Sequence, residues 1–244
     1  MSWIPDDAKT GILMPSDPVQ APLAIPKALS LAKAFEKHRF YMNQELVSGL
    51  GLFLKGDETL EPEVMIDLSR PPERPSLRFE ARMRITSNPN ATHFNVLIRT
   101  KAQRGPEVLN GLLRVMGVKP VDFKPEIPGA TERAKTHMQR SGYYQGRLRV
   151  FLDASNPDLE NGFRKLLGTE VMFFSPGQLD MGATLMMLRL SDLYIGGNSI
   201  FTGFALLFGN KCALRGLDPA PFGPNAIKMV NPKQTLKRLR FIEG

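Results

Sequence analysis

Residues Leu77–Ile85 alternate with a period of two: Leu77, Phe79, Ala81, Met83 and Ile85 are apolar, while Arg78, Glu80, Arg82 and Arg84 between them are charged. Successive side chains of a strand point to opposite faces, so the pattern predicts a half-buried strand with one solvated face. Ser87-Asn88-Pro89-Asn90 then supplies turn chemistry. His93–Lys101 sets Phe94, Val96 and Ile98 against His93, Asn95, Arg99 and Lys101. Two such runs around a tight connection predict a hairpin, and a main domain that begins this way is expected to be mostly antiparallel β.

A helix is expected after Pro106, with Val108, Leu109, Leu112, Leu113 and Met116 inward and Gly117 ending it. Residues 118–141 hold Pro120, Pro125 and Pro128 with little apolar pattern, which predicts a long basic loop. Tyr143–Asp153 returns to strand, with Leu148, Val150 and Leu152 on one face and Arg147, Arg149 and Phe151 on the other. A loop or short helix over Asn156–Leu167 leads to three more extended segments: Glu170–Phe174, Ala183–Tyr194 and Gly203–Leu217. Gly196-Gly197-Asn198 and Gly209-Asn210 read as turns between them.

Before the main domain, residues 1–26 carry Pro5, Pro15, Pro18, Pro22 and Pro26, which predicts an extended arm. Lys27–Tyr41 is helical in pattern, with Ala28, Leu31, Ala32 and Phe35 at three-to-four spacing, and Gly49-Leu50-Gly51 is expected to break or bend the chain. The fold expected is α+β, mostly antiparallel β: a small barrel with an inserted helix and a helical N-terminal extension. Its parts are an arm (1–26), the extension (27–72), the barrel domain (73–223) and a basic tail (224–244).

Charge follows these boundaries. The net charge is +8, but residues 1–73 hold 7 basic and 11 acidic residues, whereas 74–244 hold 25 and 13. A polyanion partner therefore belongs to the later part of the chain. No apolar run reaches about 18 residues, so no membrane span is expected. The first residues lack the basic and apolar regions of a secretory signal, and a soluble, cytoplasmic protein is expected. Cys212 is the single cysteine, and His38, His93 and His137 share no ligand spacing, so neither a disulfide framework nor a metal site is expected.

Enzymatic patterns are absent. The chain has no phosphate-binding Gly-x-x-x-x-Gly-Lys-Ser/Thr and no Gly-x-Ser-x-Gly. Asp153, Asp158 and Glu160 read as a solvated loop, and Asp180 and Asp192 as structural or solvated. We expect no enzyme and no cofactor. Binding patterns are richer. The polar strand faces carry Arg82 and Arg84, Arg99 and Lys101, and Arg147, Arg149 and Phe151. Arg140 precedes Tyr143 and Tyr144, and the tail adds Lys237, Arg238 and Arg240. Cations neutralise phosphates and aromatic rings stack on bases, so these residues are the candidate nucleic-acid contacts.

Four segments in order resemble the OB-fold single-stranded-DNA-binding proteins of phages: Thr92–Lys101, Gly142–Asn156, Gly177–Tyr194 and Gly203–Gly223, together spanning about residues 76–223. The resemblance implies an OB-like barrel whose cleft is lined by Arg99, Lys101, Tyr144, Arg147 and Arg149. It departs at the end of the chain, where residues 224–244 hold five basic residues and one acidic instead of an acidic tail. Residues 27–54 have no counterpart in it. The function expected is non-enzymatic binding of single-stranded nucleic acid, with DNA favoured, in phage or mobile-element replication and recombination, and in the host cytoplasm. A self-assembling viral structural protein is the alternative, and a subunit of an RNA-guided complex the third reading.

Overall fold

The structure, a computed structural model, describes residues 10–15, 17–34, 38–42, 44–54, 96–99, 121–142, 147–154, 156–177 and 179–241. The strand expected over Leu77–Ile85 with Arg82 and Arg84, the helix after Pro106, and Lys101, Tyr143 and Tyr144 lie outside these residues. The chain divides into two compact units, Met1–Lys124 and Pro125–Gly244.

In the first unit, strands β1 (Thr10–Leu13), β2 (His38–Tyr41) and β3 (Val96–Arg99) pair in parallel in the order β2-β1-β3. Helices α1 (Gln20–Leu23), α2 (Ile25–Ala34) and α3 (Val47–Leu54) accompany them. Residues 10–26, expected as an extended arm, are thus largely strand and helix. The prolines do not prevent this, because Pro26 sits in the first turn of α2, where a missing N–H loses no helical bond. Asp17 accepts from the N–H groups of Val19 and Gln20, both at 2.9 Å, and so starts α1. The helix expected over Lys27–Tyr41 ends at Ala34, and its last residues form β2. Gly49 and Gly51 do not break the chain: both are buried inside α3. Ser30 Oγ donates to Pro26 O (2.7 Å) and accepts from Val121 N (2.9 Å), which ties the last described stretch of this unit to α2.

The second unit runs α4 (Ala130–Arg140), β4 (Leu148–Leu152), α5 (Pro157–Leu167), β5 (Val171–Phe174), α6 (Met181–Leu190), β6 (Leu193–Gly196), α7 (Ile200–Phe208), β7 (Lys211–Leu214), β8 (Ala226–Lys228) and α8 (Pro232–Arg238). Its five strands are all parallel, in the order β5-β4-β6-β7-β8. Helices cover both faces: α5 packs with α8, and α6 packs with α4 and α7. This is a doubly wound α/β sheet, and it overturns the expected α+β, mostly antiparallel OB-like barrel.

The reason is burial on both faces. Val150 and Leu152 join Phe163 of α5 and Leu236 of α8 in one core. Phe151, on the other face, is fully buried and stacks near Tyr194, with ring centroids 6.3 Å apart. The face read as solvated is therefore the second core. The same burial hid two helices. In α6, every residue from Gly182 to Leu188 is buried, so no polar stripe marks a helical period, and Ala183–Tyr194 looks like strand. The segment Gly203–Leu217 fails likewise, since it begins inside the apolar α7. In the expected loop 118–141, α4 buries Ala130, Ala134 and Met138 at four-residue spacing. Small alanines carry that stripe weakly.

Cys212 is fully buried on β7, its thiol donates to Asn210 O at 3.3 Å, and burial pushes its pKa up to about 12. The thiolate is the reactive form. Native protein at mildly alkaline pH is expected to resist iodoacetamide and to be alkylated stoichiometrically once denatured; mass spectrometry reads the difference, and modification of the native chain would contradict it.

Candidate functional site

In an open parallel sheet, ligands bind outside the carboxyl ends of the strands, where the strand order reverses. In the second unit that point lies between β4, whose chain crosses to β5 on one side, and β6, whose chain crosses to β7 on the other. Two loops leave it. After β4, Asp153 leads to Asn156, whose side chain accepts from Leu159 N at 3.0 Å and caps α5. After β6, Gly196-Gly197-Asn198-Ser199 leads into α7, and Ser199 Oγ accepts from Thr202 N at 3.4 Å.

The second turn is held from below and from the side. A side chain at Gly196 would overlap Tyr194 Oη and come within 2.8 Å of Asp153 Cβ. Tyr194 Oη lies 2.6 Å from Thr202 Oγ1, which in turn donates to Gly197 O. Burial first, and then the charge of Asp153, raises the tyrosine pKa far above its usual value, so its hydroxyl remains a donor. Just past the end of β7, Arg215 N donates to Gly196 O at 2.7 Å. The turn is thus rigidly placed, while the first N–H groups of α7, from Ile200 and Phe201, have no partner inside the helix. Such a helix start attracts anions.

The expected contact residues are dispersed. Arg147 and Arg149 lie at the amino ends of the strands, opposite the glycine turn, and line a cleft of about 460 Å³ with Leu148, Leu167, Glu170, Asp192 and Phe241. Arg149 is held by Asp192 through Nε–Oδ2 at 2.9 Å and a second bond between Nη2 and Oδ1, and Asp192 Oδ2 also accepts from Arg149 N. Arg147 donates to Gly142 O at 3.1 Å. Phe151 is fully buried and has no face for a base to stack on. Arg99 ends β3 in the other unit, Arg140 ends α4, and Lys237, Arg238 and Arg240 are exposed on and after α8. Among the described residues, Arg147 and Arg149 share one cleft, and Lys237, Arg238 and Arg240 share the end of α8. In the sequence the glycine turn is marked only as punctuation; the signal for more is Ser199 before an apolar run, the sequence mark of a helix start.

Among the described residues, no cluster of three or more His, Cys, Asp or Glu side chains is placed to hold a metal. No helix among them is long and apolar enough to cross a membrane.

No protein-family profile and no curated protein sequence matches the chain. Solved structures do. The chain superposes with a TM-score of 0.56 and 11% identity on the crystal structure of a glycosyl transferase family 9 protein from Veillonella parvula DSM 2008, over 99% of this chain and 98% of that one. A looser likeness, TM-score 0.48 and 11% identity, covers 96% of this chain and 98% of the ADP-heptose LPS heptosyltransferase II of E. coli. The fold is therefore that of Rossmann-like, parallel-sheet glycosyltransferases. This overturns the resemblance to phage OB-fold single-stranded-DNA-binding proteins, and with it the non-enzymatic strand-binding function expected from that barrel.

Proposed function

We propose that the chain is a glycosyltransferase that holds a nucleotide-diphosphate sugar at the carboxyl ends of its second sheet. The carrying observation is the Gly196–Ser199 turn: where the strand order reverses, Tyr194, Asp153 and the Arg215 backbone pack against its two glycines and fix it, and a helix start stands there with N–H groups that have no partner inside the helix. The name of the Veillonella protein supports the reaction class.

In such a transfer, an acceptor hydroxyl attacks the anomeric carbon as the bond from that carbon to the diphosphate oxygen breaks, and the hydroxyl proton passes to a base. Negative charge grows on the departing diphosphate. Fixed donors aimed at that charge lower the barrier because they need no reorganisation during the reaction. The α7 N–H groups supply such donors. Tyr194, Thr202 and the Arg215 backbone hold the turn that presents them.

The test is calorimetric titration with ADP, GDP and UDP. At least one is expected to bind. Ile200→Pro removes one N–H donor at the first helical position, where proline is tolerated, and the preceding Ser199 has the extended φ of −146° and ψ of 167° that proline requires. Affinity should fall about tenfold or more, as for loss of a hydrogen bond to a charged group, with helix content unchanged. Failure of all three nucleotides to bind, or equal binding by the variant, defeats the reading.

A further inference from the structure

The basic end of the chain is unused by the proposed donor site. Between Asp218 and Glu243 there is no acidic residue, but there are Lys228, Lys233, Lys237, Arg238 and Arg240. All five are exposed, and none of them forms an ion pair among the described residues. The opposite side of α8 is fixed in the core by Leu236 and Leu239, and Lys211 Nζ clamps the end of the helix by donating to Leu239 O at 2.6 Å. Lys233, Lys237 and Arg238 are therefore held on a packed helix, with Lys228 at the end of β8 and Arg240 just beyond α8.

Several of them sit where the chain itself gains nothing. Lys237 and Arg238 suit the negative end of α8, but Lys233 lies at its positive end. Lys233 and Lys237 are also a like-charge pair four residues apart. Arg240, with φ of 59°, is the only non-glycine residue in the left-handed region among the described residues. An anion beside α8 would offset the first two, which are electrostatic.

The two exposed large apolar residues among the described residues are Leu166, 44% accessible, and Val230, 48% accessible. Both lie by the contact of α5 with α8. A side chain at Gly162 would touch Pro232, Leu166 is one turn beyond Gly162, and Val230 is two residues before Pro232. Lys165 beside Leu166 is exposed as well. Cations flanking projecting apolar side chains match the boundary between anionic headgroups and acyl chains.

We infer that the outer surface of α5 and α8 docks on an anionic lipid bilayer. This does not depend on the donor site, and nucleotide titration leaves it unaffected.

The test is co-sedimentation of the full chain with vesicles of phosphatidylcholine mixed with phosphatidylglycerol, against phosphatidylcholine alone. Binding is expected to the mixed vesicles only, and to weaken as salt screens the charges. Lys233→Gln with Lys237→Gln should weaken it about 25-fold, from roughly fivefold for each charge near the surface. Leu166→Ser with Val230→Ser should also weaken it, and as both positions are exposed the fold is retained. Lys135→Gln, on α4 and paired with Glu132, should change nothing. Absence of vesicle binding, equal binding to neutral vesicles, or unchanged binding by both double variants overturns the inference. Retention on immobilised polyglutamate without vesicle binding overturns it in favour of an acidic protein partner.

Discussion

Phe163→Ala is expected to destabilise the second unit by about 3–5 kcal/mol, the cost of a cavity where a buried aromatic ring stood. The ring is fully buried between α5 and the sheet, among Val150, Leu152, Val171, Leu193 and Ile195. It also meets Phe173 edge-on, at 6.1 Å between centroids. Leu236 and Leu239 close the same core, so its loss loosens α5 and α8 together. Domains are stable by only about 5–15 kcal/mol, so the variant retains a minority of its margin in the weaker part of that range. Urea denaturation followed by circular dichroism should show a lower midpoint at unchanged slope. Leu166→Ala, at an exposed position of the same helix, should stay within about 0.5 kcal/mol of the parent. Equal effects at the two positions would contradict the packing described.

Gly196→Ala carries the second large effect, on stability and on the proposed site at once. The added methyl has no room, since Tyr194 Oη occupies its position and Asp153 Cβ lies 2.8 Å away. Overpacking of this kind costs about 1–3 kcal/mol. To relieve it, Tyr194 must leave its hydrogen bond to Thr202, and the turn shifts with it. Nucleotide binding should then be lost even where the protein remains folded. Gly197→Ala is the comparison: its methyl would meet only Arg215 O, at 3.3 Å, so a smaller loss is expected. Thermal melts rank the three proteins, and titration shows whether binding follows. A Gly196→Ala protein as stable as the parent would rule out the close approach of Tyr194.

The local signals in this sequence were often present where the fold was misread. Asp180 and Ser199 both cap helices, as residues of their type do, and the apolar runs behind them are α6 and α7. Gly209, with φ of 78°, ends α7 as a helix-terminating glycine should. These end signals were outweighed by an absent period. A helix buried all round shows no polar stripe, and a short apolar run with branched and aromatic residues then resembles strand. The strand expected within Glu170–Phe174 was legible because a buried strand is itself a short continuous apolar run.

The candidate site was less legible than the fold. Gly196-Gly197-Asn198 announces a turn in any fold, and nothing local says that it stands beside the end of β4, more than 40 residues earlier. Arg149 shows the converse. Its place in an alternating strand suggested a free cation, yet Asp192 accepts both its guanidinium and its backbone N–H. Phe151 belonged to the same apparent outer face and is fully buried.

By itself the sequence determined the local events: helix starts at Asn156 and Asn231, each followed by proline, a glycine stop after α7, the apolar strand β5, and a basic, acid-free end of the chain. Hydrogen bonds and steric limits within a few residues decide such features, so they are written locally. Only the tertiary structure decided that the strands run parallel, that helices cover both sheet faces, and that the chain reverses its strand order at Gly196. Parallel neighbours are joined by crossovers rather than tight turns, so their partnership rests on contacts between segments far apart in sequence, and an alternating pattern cannot tell a face that meets water from one that meets a charged or aromatic partner brought from elsewhere.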